Sequence, residues 1–215
     1  MRDLVVFVAD STMEHAFRSF LTRPDFHAPY NLNIQPIDFD PEEDLIRIPG
    51  NDCGAFGKGH DWMRARLGKY RHAAVVFDRE FGTNWDAQAL RSDLTGRILQ
   101  TGWHADHFCV VVIEPELESW IWQRNQRVAI PLGFATVGEM VAAVNSVGPV
   151  WPDGDAKPTR PKEALQAVLR RKGIGFSAAV HRSITSSVSL IGCQDPAFTQ
   201  FRVALQQWFP VGDAA

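Results

Sequence analysis

Acidic residues gather where the short apolar runs of this chain end. Asp10 and Glu14 follow Leu4–Ala9, Asp78 and Glu80 follow Ala73–Phe77, and Glu114, Glu116 and Glu118 follow Phe108–Ile113. Carboxylates crowded together without a basic partner repel, and a hard divalent cation relieves that repulsion. Mg²⁺ takes oxygen ligands and keeps waters that can attack a phosphorus centre. The acids so placed, among them Glu14, Asp78, Glu80, Glu116 and Glu118, are candidate ligands of Mg²⁺ or Mn²⁺. Glu14, Asp78, Glu80 and Glu118 are the candidates for catalytic work. A structural use competes at each position. Acids favour the first turn of any helix through its dipole, and Asp after a strand commonly starts a turn. Glu114 before Pro115 reads as a helix cap with proline at the first helical position. Glu118, beside Leu117 and Trp120, reads as partly buried, which an isolated Glu avoids.

The elements that would position these acids alternate. Leu4–Ala9, Leu32–Phe39, Ala73–Phe77 and Phe108–Ile113 read as strands, near-continuously apolar as strands covered on both faces must be. Met13, Phe17, Phe20 and Leu21 fall at helical spacing, with Ser11 or Thr12 as the cap. Asp40–Gly59, rich in Pro and Gly, reads as a long loop of the functional or mobile kind. His60–Tyr70 and Trp85–Leu99 read as helices, the second with Leu90, Leu94 and Ile98 on one face. Strands alternating with helices argue for an α/β fold with a mainly parallel sheet flanked by helices. Ligands of such a sheet bind beyond the carboxyl ends of its strands, where the acids stand. After Gly133 the pattern turns helical, with helices at Lys162–Arg171 and Phe198–Trp208 beyond a Pro/Gly/Asp-rich segment, Pro149–Pro161. The expected organisation is a core over residues 1–133 and a helical extension over 134–215 packed on it as one compact unit.

Composition narrows the classes. With 215 residues, 45% hydrophobic and 22% charged, the chain can bury a full core, and it contains no repeat or biased tract. A net charge of −3 provides no general field for nucleic acid, so binding would rest on local patches. Lys58, in Gly54-Ala55-Phe56-Gly57-Lys58-Gly59-His60, and Arg160 and Lys162 are the candidates for phosphate-backbone contacts, although the first segment lacks P-loop spacing. Cys53, Cys109 and Cys193 form no CxxC pair and encode neither a disulfide framework nor a zinc site. His104, Asp106 and His107 precede the Phe108 run and so belong to the end of that strand opposite its acids. No apolar stretch approaches the roughly 18 residues of a membrane span, so the expectation is a cytoplasmic protein with no membrane partner.

Three motifs carry a resemblance. An acid after the first strand, Asp78-Arg79-Glu80 after the third-strand run and a further Glu after the fourth resemble TOPRIM (topoisomerase–primase) domains and their defence-associated relatives. More specifically, Val8-Ala9-Asp10-Ser11-Thr12-Met13-Glu14, Val76-Phe77-Asp78-Arg79-Glu80 and Ile113-Glu114-Pro115-Glu116-Leu117-Glu118-Ser119-Trp120-Ile121-Trp122 resemble the fourth-component family of bacterial methylation-associated defence systems. Arg160-Pro161-Lys162-Glu163-Ala164-Leu165 and Cys193-Gln194-Asp195-Pro196-Ala197-Phe198 extend the likeness into the tail. The resemblance implies a TOPRIM-like fold, a role in anti-phage defence beside other proteins of the same system, DNA or RNA as partner, and Mg²⁺-dependent nuclease chemistry. One departure stands out. TOPRIM enzymes place Glu-Gly after the first strand, and Ala9-Asp10 occupies that place here, so the usual acid/base Glu is missing and Asp10, with a shorter side chain, is the candidate substitute from a different position. Two readings stay open: a metal-dependent phosphoryl-transfer enzyme, and a non-catalytic scaffold of a defence complex.

Overall fold

The computed structural model describes residues 1–212. Four parallel strands, β1 (Arg2–Val8), β2 (Leu45–Arg47), β3 (Tyr70–Asp78) and β4 (Phe108–Ile113), form one sheet in the order β2-β1-β3-β4. Their connections carry α1 (Ser11–Leu21), α2 (Asn51–Arg64) and α3 (Ala87–Leu99). The chain steps to one side of β1 through α1 and back across it through α2. Right-handed crossovers then place α1 on one face and α2 with α3 on the other. The helical second half follows as α4 (Glu118–Ile121), α5 (Gln126–Ala129), α6 (Val137–Ser146), α7 (Pro161–Lys172), α8 (Ala178–Thr185) and α9 (Pro196–Trp208).

Burial explains the apolar runs. Every residue of β4 is buried, as are Leu4–Val8 of β1 and Ala73–Asp78 of β3. α1 and α9 cover the same face, with the Phe17 and Phe201 rings 5.7 Å apart and those of Phe20 and Phe198 5.8 Å apart. The tail helix thus belongs to the sheet core. A second apolar cluster, built on Trp122, Leu132, Met140, Trp151, Leu165 and Ile184, lies within the segment from Ile121 to Val188.

Two expected elements are corrected. Leu32–Phe39 is not a strand of the sheet. Leu32 and Ile34 are buried, but the backbone forms only an isolated antiparallel bridge from Ile34 to Pro210. Pro36 removes a donor that a ladder would need. The missing edge strand is β2, inside the segment expected to be loop. That segment also starts α2, so Lys58 and His60 lie on a helix that ends at Arg64 and does not reach Tyr70. Two of the glycines of α2, Gly54 and Gly59, serve close approach. A Cβ on Gly59 would lie 3.3 Å from Val75 Cγ1 and 3.5 Å from Leu94 Cδ2, where the helix meets β3 and α3. Gly50 precedes the helix at φ 99°, a conformation glycine adopts without cost. At the start of α1 the cap is Asp10, whose Oδ1 accepts from the Met13 N–H at 2.8 Å; neither Ser11 nor Thr12 serves.

Candidate functional site

Parallel order β2-β1-β3-β4 reverses direction between β1 and β3, and ligands of open sheets bind at such a switch point beyond the strand ends. Asp78 stands there as the last residue of β3, paired in register with Ile113 of β4. It is 8% exposed, and its Oδ1 is buried without a hydrogen-bond partner. Burial raises its pKa well above the ordinary carboxylate range. The charges of Asp52, Glu118, Asp10 and Glu116 push it further the same way. These five acids come from the ends of all four strands.

Each neighbour of Asp78 is held differently. Asp52, in the first turn of α2, accepts the Asp78 backbone N–H on Oδ1 at 2.7 Å. Burial raises its pKa, and the hydrogen bond from Asp78 opposes that without cancelling it. Asp10 spends Oδ1 on the α1 cap. Glu116 accepts from the Lys162 backbone N–H at 3.2 Å and lies 3.1 Å from Lys162 Nζ, at the N-terminus of α7. Burial and then the Glu118 charge raise its pKa against the pull of Lys162. Lys162 is itself held above the usual lysine range: burial lowers its pKa, but Glu116, Glu118 and Asp78 outweigh that. Glu118 is 3% exposed and pairs through Oε1 with His181 Nε2 at 3.0 Å. Burial pushes its pKa up, but the His181 hydrogen bond and charge hold it below the ordinary value.

The acidic motif after β4 places its residues by anchoring its tryptophans. Trp120 Nε1 donates to Asp195 Oδ1 at 3.1 Å, and Trp122 Nε1 donates to the Pro161 carbonyl at 2.9 Å. Those bonds tie the motif to the cap of α9 and to the first residue of α7. Just ahead of these tryptophans, Glu116 and Glu118 lie near enough for their charges to act on Asp78. Glu114 is exposed and its peptide bond to Pro115 is cis; α4 begins only at Glu118, so Glu114 does not cap a helix.

Not all of the expected acids join. Glu14 faces Arg47 at 3.5 Å and Arg18 at 3.8 Å, ion pairs that satisfy it away from Asp78. Glu80 is exposed, because it falls two residues beyond the last residue of β3. Lys58 is exposed on α2, and Arg160 is exposed with Glu163 3.8 Å away. Among the described residues, no three His, Cys, Asp or Glu side chains form a ready-made metal cage. His104 and His107 lie at the other end of the sheet from the acids, where the His72 ring stacks on Trp208 at 4.8 Å.

Asp52 and His181 were not legible as site residues. Asp52 lies in a segment that reads as loop, and its signal is the short β-branched stretch Leu45-Ile46-Arg47-Ile48 that ends shortly before it. His181 lies 63 residues from Glu118, and no local pattern marks it. Among the described residues, no helix is long and apolar enough to cross a membrane. No family model, no curated protein and no solved structure matches the chain.

Proposed function

We propose that this chain is a TOPRIM-like component of a bacterial anti-phage defence system whose acidic site performs Mg²⁺- or Mn²⁺-dependent phosphoryl transfer on nucleic acid. The observation that carries the reading is the buried, unpartnered Oδ1 of Asp78 at the switch point of the sheet. A carboxylate oxygen left without a donor in a protein interior is costly, and a cation is the partner that repays the cost among other acids. Asp78 would hold the ion, with Glu118, Asp52 and Asp10 each offering an oxygen from a fixed side chain. Such sites commonly use one or two carboxylates and complete the coordination with water and substrate phosphate, so a closed protein cage is not required. When bound, the cation supplies a Lewis acid for a phosphoryl oxygen and a water of lowered pKa. Lys162, half-exposed beside Glu116, is placed to meet a phosphate oxygen. The TOPRIM resemblance rests on the sequence motifs after β1, β3 and β4, and the parallel sheet flanked by helices is the general architecture it requires. Glu14 and Glu80 are not needed in this form of the site.

A scaffold reading draws on a different observation. Lys162 and His181 already neutralise Glu116 and Glu118 without any metal. Asp78→Asn separates the two. The change is nearly isosteric but removes the charge that holds a hard cation. The metal-dependent reading expects loss of phage protection and of divalent-dependent cleavage, with the fold retained. Full protection by the variant would support the scaffold. Asp78 also has a pKa raised by folding, so its ionisation destabilises the metal-free protein increasingly as pH climbs above the ordinary carboxylate range. Asp78→Asn is therefore expected to melt higher at neutral pH, by about 2–4 °C for each kcal/mol of strain relieved, and to lose that advantage in acid.

A further inference from the structure

Glu118 draws its partner from the helical second half of the chain. His181 of α8 is completely buried. Its Nδ1 lies 3.2 Å from the Ser177 carbonyl, and its Nε2 lies 3.0 Å from Glu118 Oε1. A backbone carbonyl only accepts, so Nδ1 carries a proton and donates it. Nε2 and Oε1 then share one further proton. Both ring nitrogens are thereby assigned, and a flipped ring would forfeit both bonds. The ring is braced by Phe176, edge-on with centroids 5.3 Å apart at 84°. α8 is tied to α1 where Ser19 Oγ donates to the Arg182 carbonyl at 3.1 Å.

Stability alone does not account for this pair. Replacing a buried ion pair by apolar side chains of similar volume is often neutral or favourable, whereas a carboxylate left alone there is costly. A buried Glu whose charge acts on Asp78, with a histidine fixed to its Oε1, has the form of a ligand with an oriented support. Carboxylate ligands held in this way keep one oxygen tethered and the other presented in a fixed direction.

We propose that His181 is a positioning residue that tethers Oε1 of Glu118, so that the carboxylate faces Asp78 as a ready ligand and the helical half completes the acidic site. This rests on the metal-dependent reading given above. Its test uses the purified full-length chain and Mn²⁺ alone, titrated by electron paramagnetic resonance. His181→Phe keeps the volume and removes both donors; His181→Gln keeps an amide donor near the place of Nε2. The expected result is a Mn²⁺ affinity about 10- to 100-fold weaker in His181→Phe and largely restored in His181→Gln. Wild-type affinity in a folded His181→Phe protein would overturn the role of His181 and leave the metal reading standing. Absence of Mn²⁺ binding by the wild type would overturn both. Should His181→Phe fail to fold, the ¹⁵N resonances of the His181 imidazole in the wild type decide the matter. They are expected to shift on addition of Mg²⁺, and an unchanged spectrum in Mg²⁺-bound protein would refute the tethering.

Discussion

At the residue scale, a buried acid and a half-buried histidine stand at opposite ends of the sheet, and they respond to pH in opposite senses. Asp78 is held toward its protonated form beside other acids, so deprotonation strains the metal-free protein. His72 is held neutral, its pKa lowered from 6.5 to about 4 by burial and then by the neighbouring His107. Its Nδ1 is buried without a partner, and its ring stacks on Trp208 with a 14° interplanar angle. A histidine depressed in this way binds fewer protons folded than unfolded between those two values. Its contribution to stability is present above 6.5 and is lost as pH falls from 6.5 to about 4. His72→Phe keeps an aromatic surface on Trp208 and removes the titration. Thermal melts across that window are expected to show a flatter pH dependence in the variant, and an unaltered slope would mean that other groups set the acid sensitivity. Of the acids, Asp78 and Glu118 were legible because each follows a strongly apolar run. Glu14 and Glu80 carried the same local signal. The signal misleads there because it records sequence distance from a strand end, whereas ion pairing by Arg47 and solvent exposure are set by the fold.

At the element scale, α2 shows why part of the fold was hidden. Its segment, Asn-Asp-Cys-Gly-Ala-Phe-Gly-Lys-Gly-His, has glycines at three positions that propensity alone assigns to loop. Packing overrides propensity where a Cβ has no room. At Gly54 a Cβ would lie 2.0 Å from the Pro49 carbonyl oxygen, whereas at Gly57 it would meet nothing within 4 Å. The two positions therefore respond oppositely to the same change. Gly57→Ala is expected to stabilise by about 0.5–1 kcal/mol through helix propensity, raising the melting temperature by about 1–4 °C. Gly54→Ala is expected to destabilise in spite of the same propensity gain, since backbone must move to admit the methyl group. Chemical denaturation of both variants checks the contrast, and a stabilised Gly54→Ala protein would show that the approach to Pro49 does not constrain the helix. The converse error, Leu32–Phe39, has burial and partial alternation without a sheet neighbour. Sequence periodicity reports which side chains are covered and is silent on which backbone pairs with which. The runs that became β1, β3 and β4 were legible because strands covered on both faces must be apolar throughout, and that requirement is local.

At the scale of the whole molecule, the acidic site is an assembly of both halves of the chain. β3 supplies Asp78, the starts of α1 and α2 supply Asp10 and Asp52, and the motif after β4 supplies Glu116 and Glu118, while Lys162 and His181 reach them from α7 and α8. The two anchoring tryptophans bind the same motif to the starts of α7 and α9. The change after Gly133 from alternating elements to helices was legible, whereas the packing of α9 on the sheet and the start of the second apolar cluster at Ile121 were not. That pattern could not reveal the dependence of the site on the extension, because contacts between distant segments leave no periodic trace. The central claim is that these parts converge to hold one divalent cation at Asp78. Crystals of the full-length protein soaked in Mn²⁺, with data collected at the manganese absorption edge, test it directly. The account predicts an anomalous peak bonded to Asp78 Oδ1 and flanked by Glu118, with no such peak in Asp78→Asn crystals. Mn²⁺-soaked wild-type crystals with no anomalous density among Asp10, Asp52, Asp78 and Glu118 would contradict it.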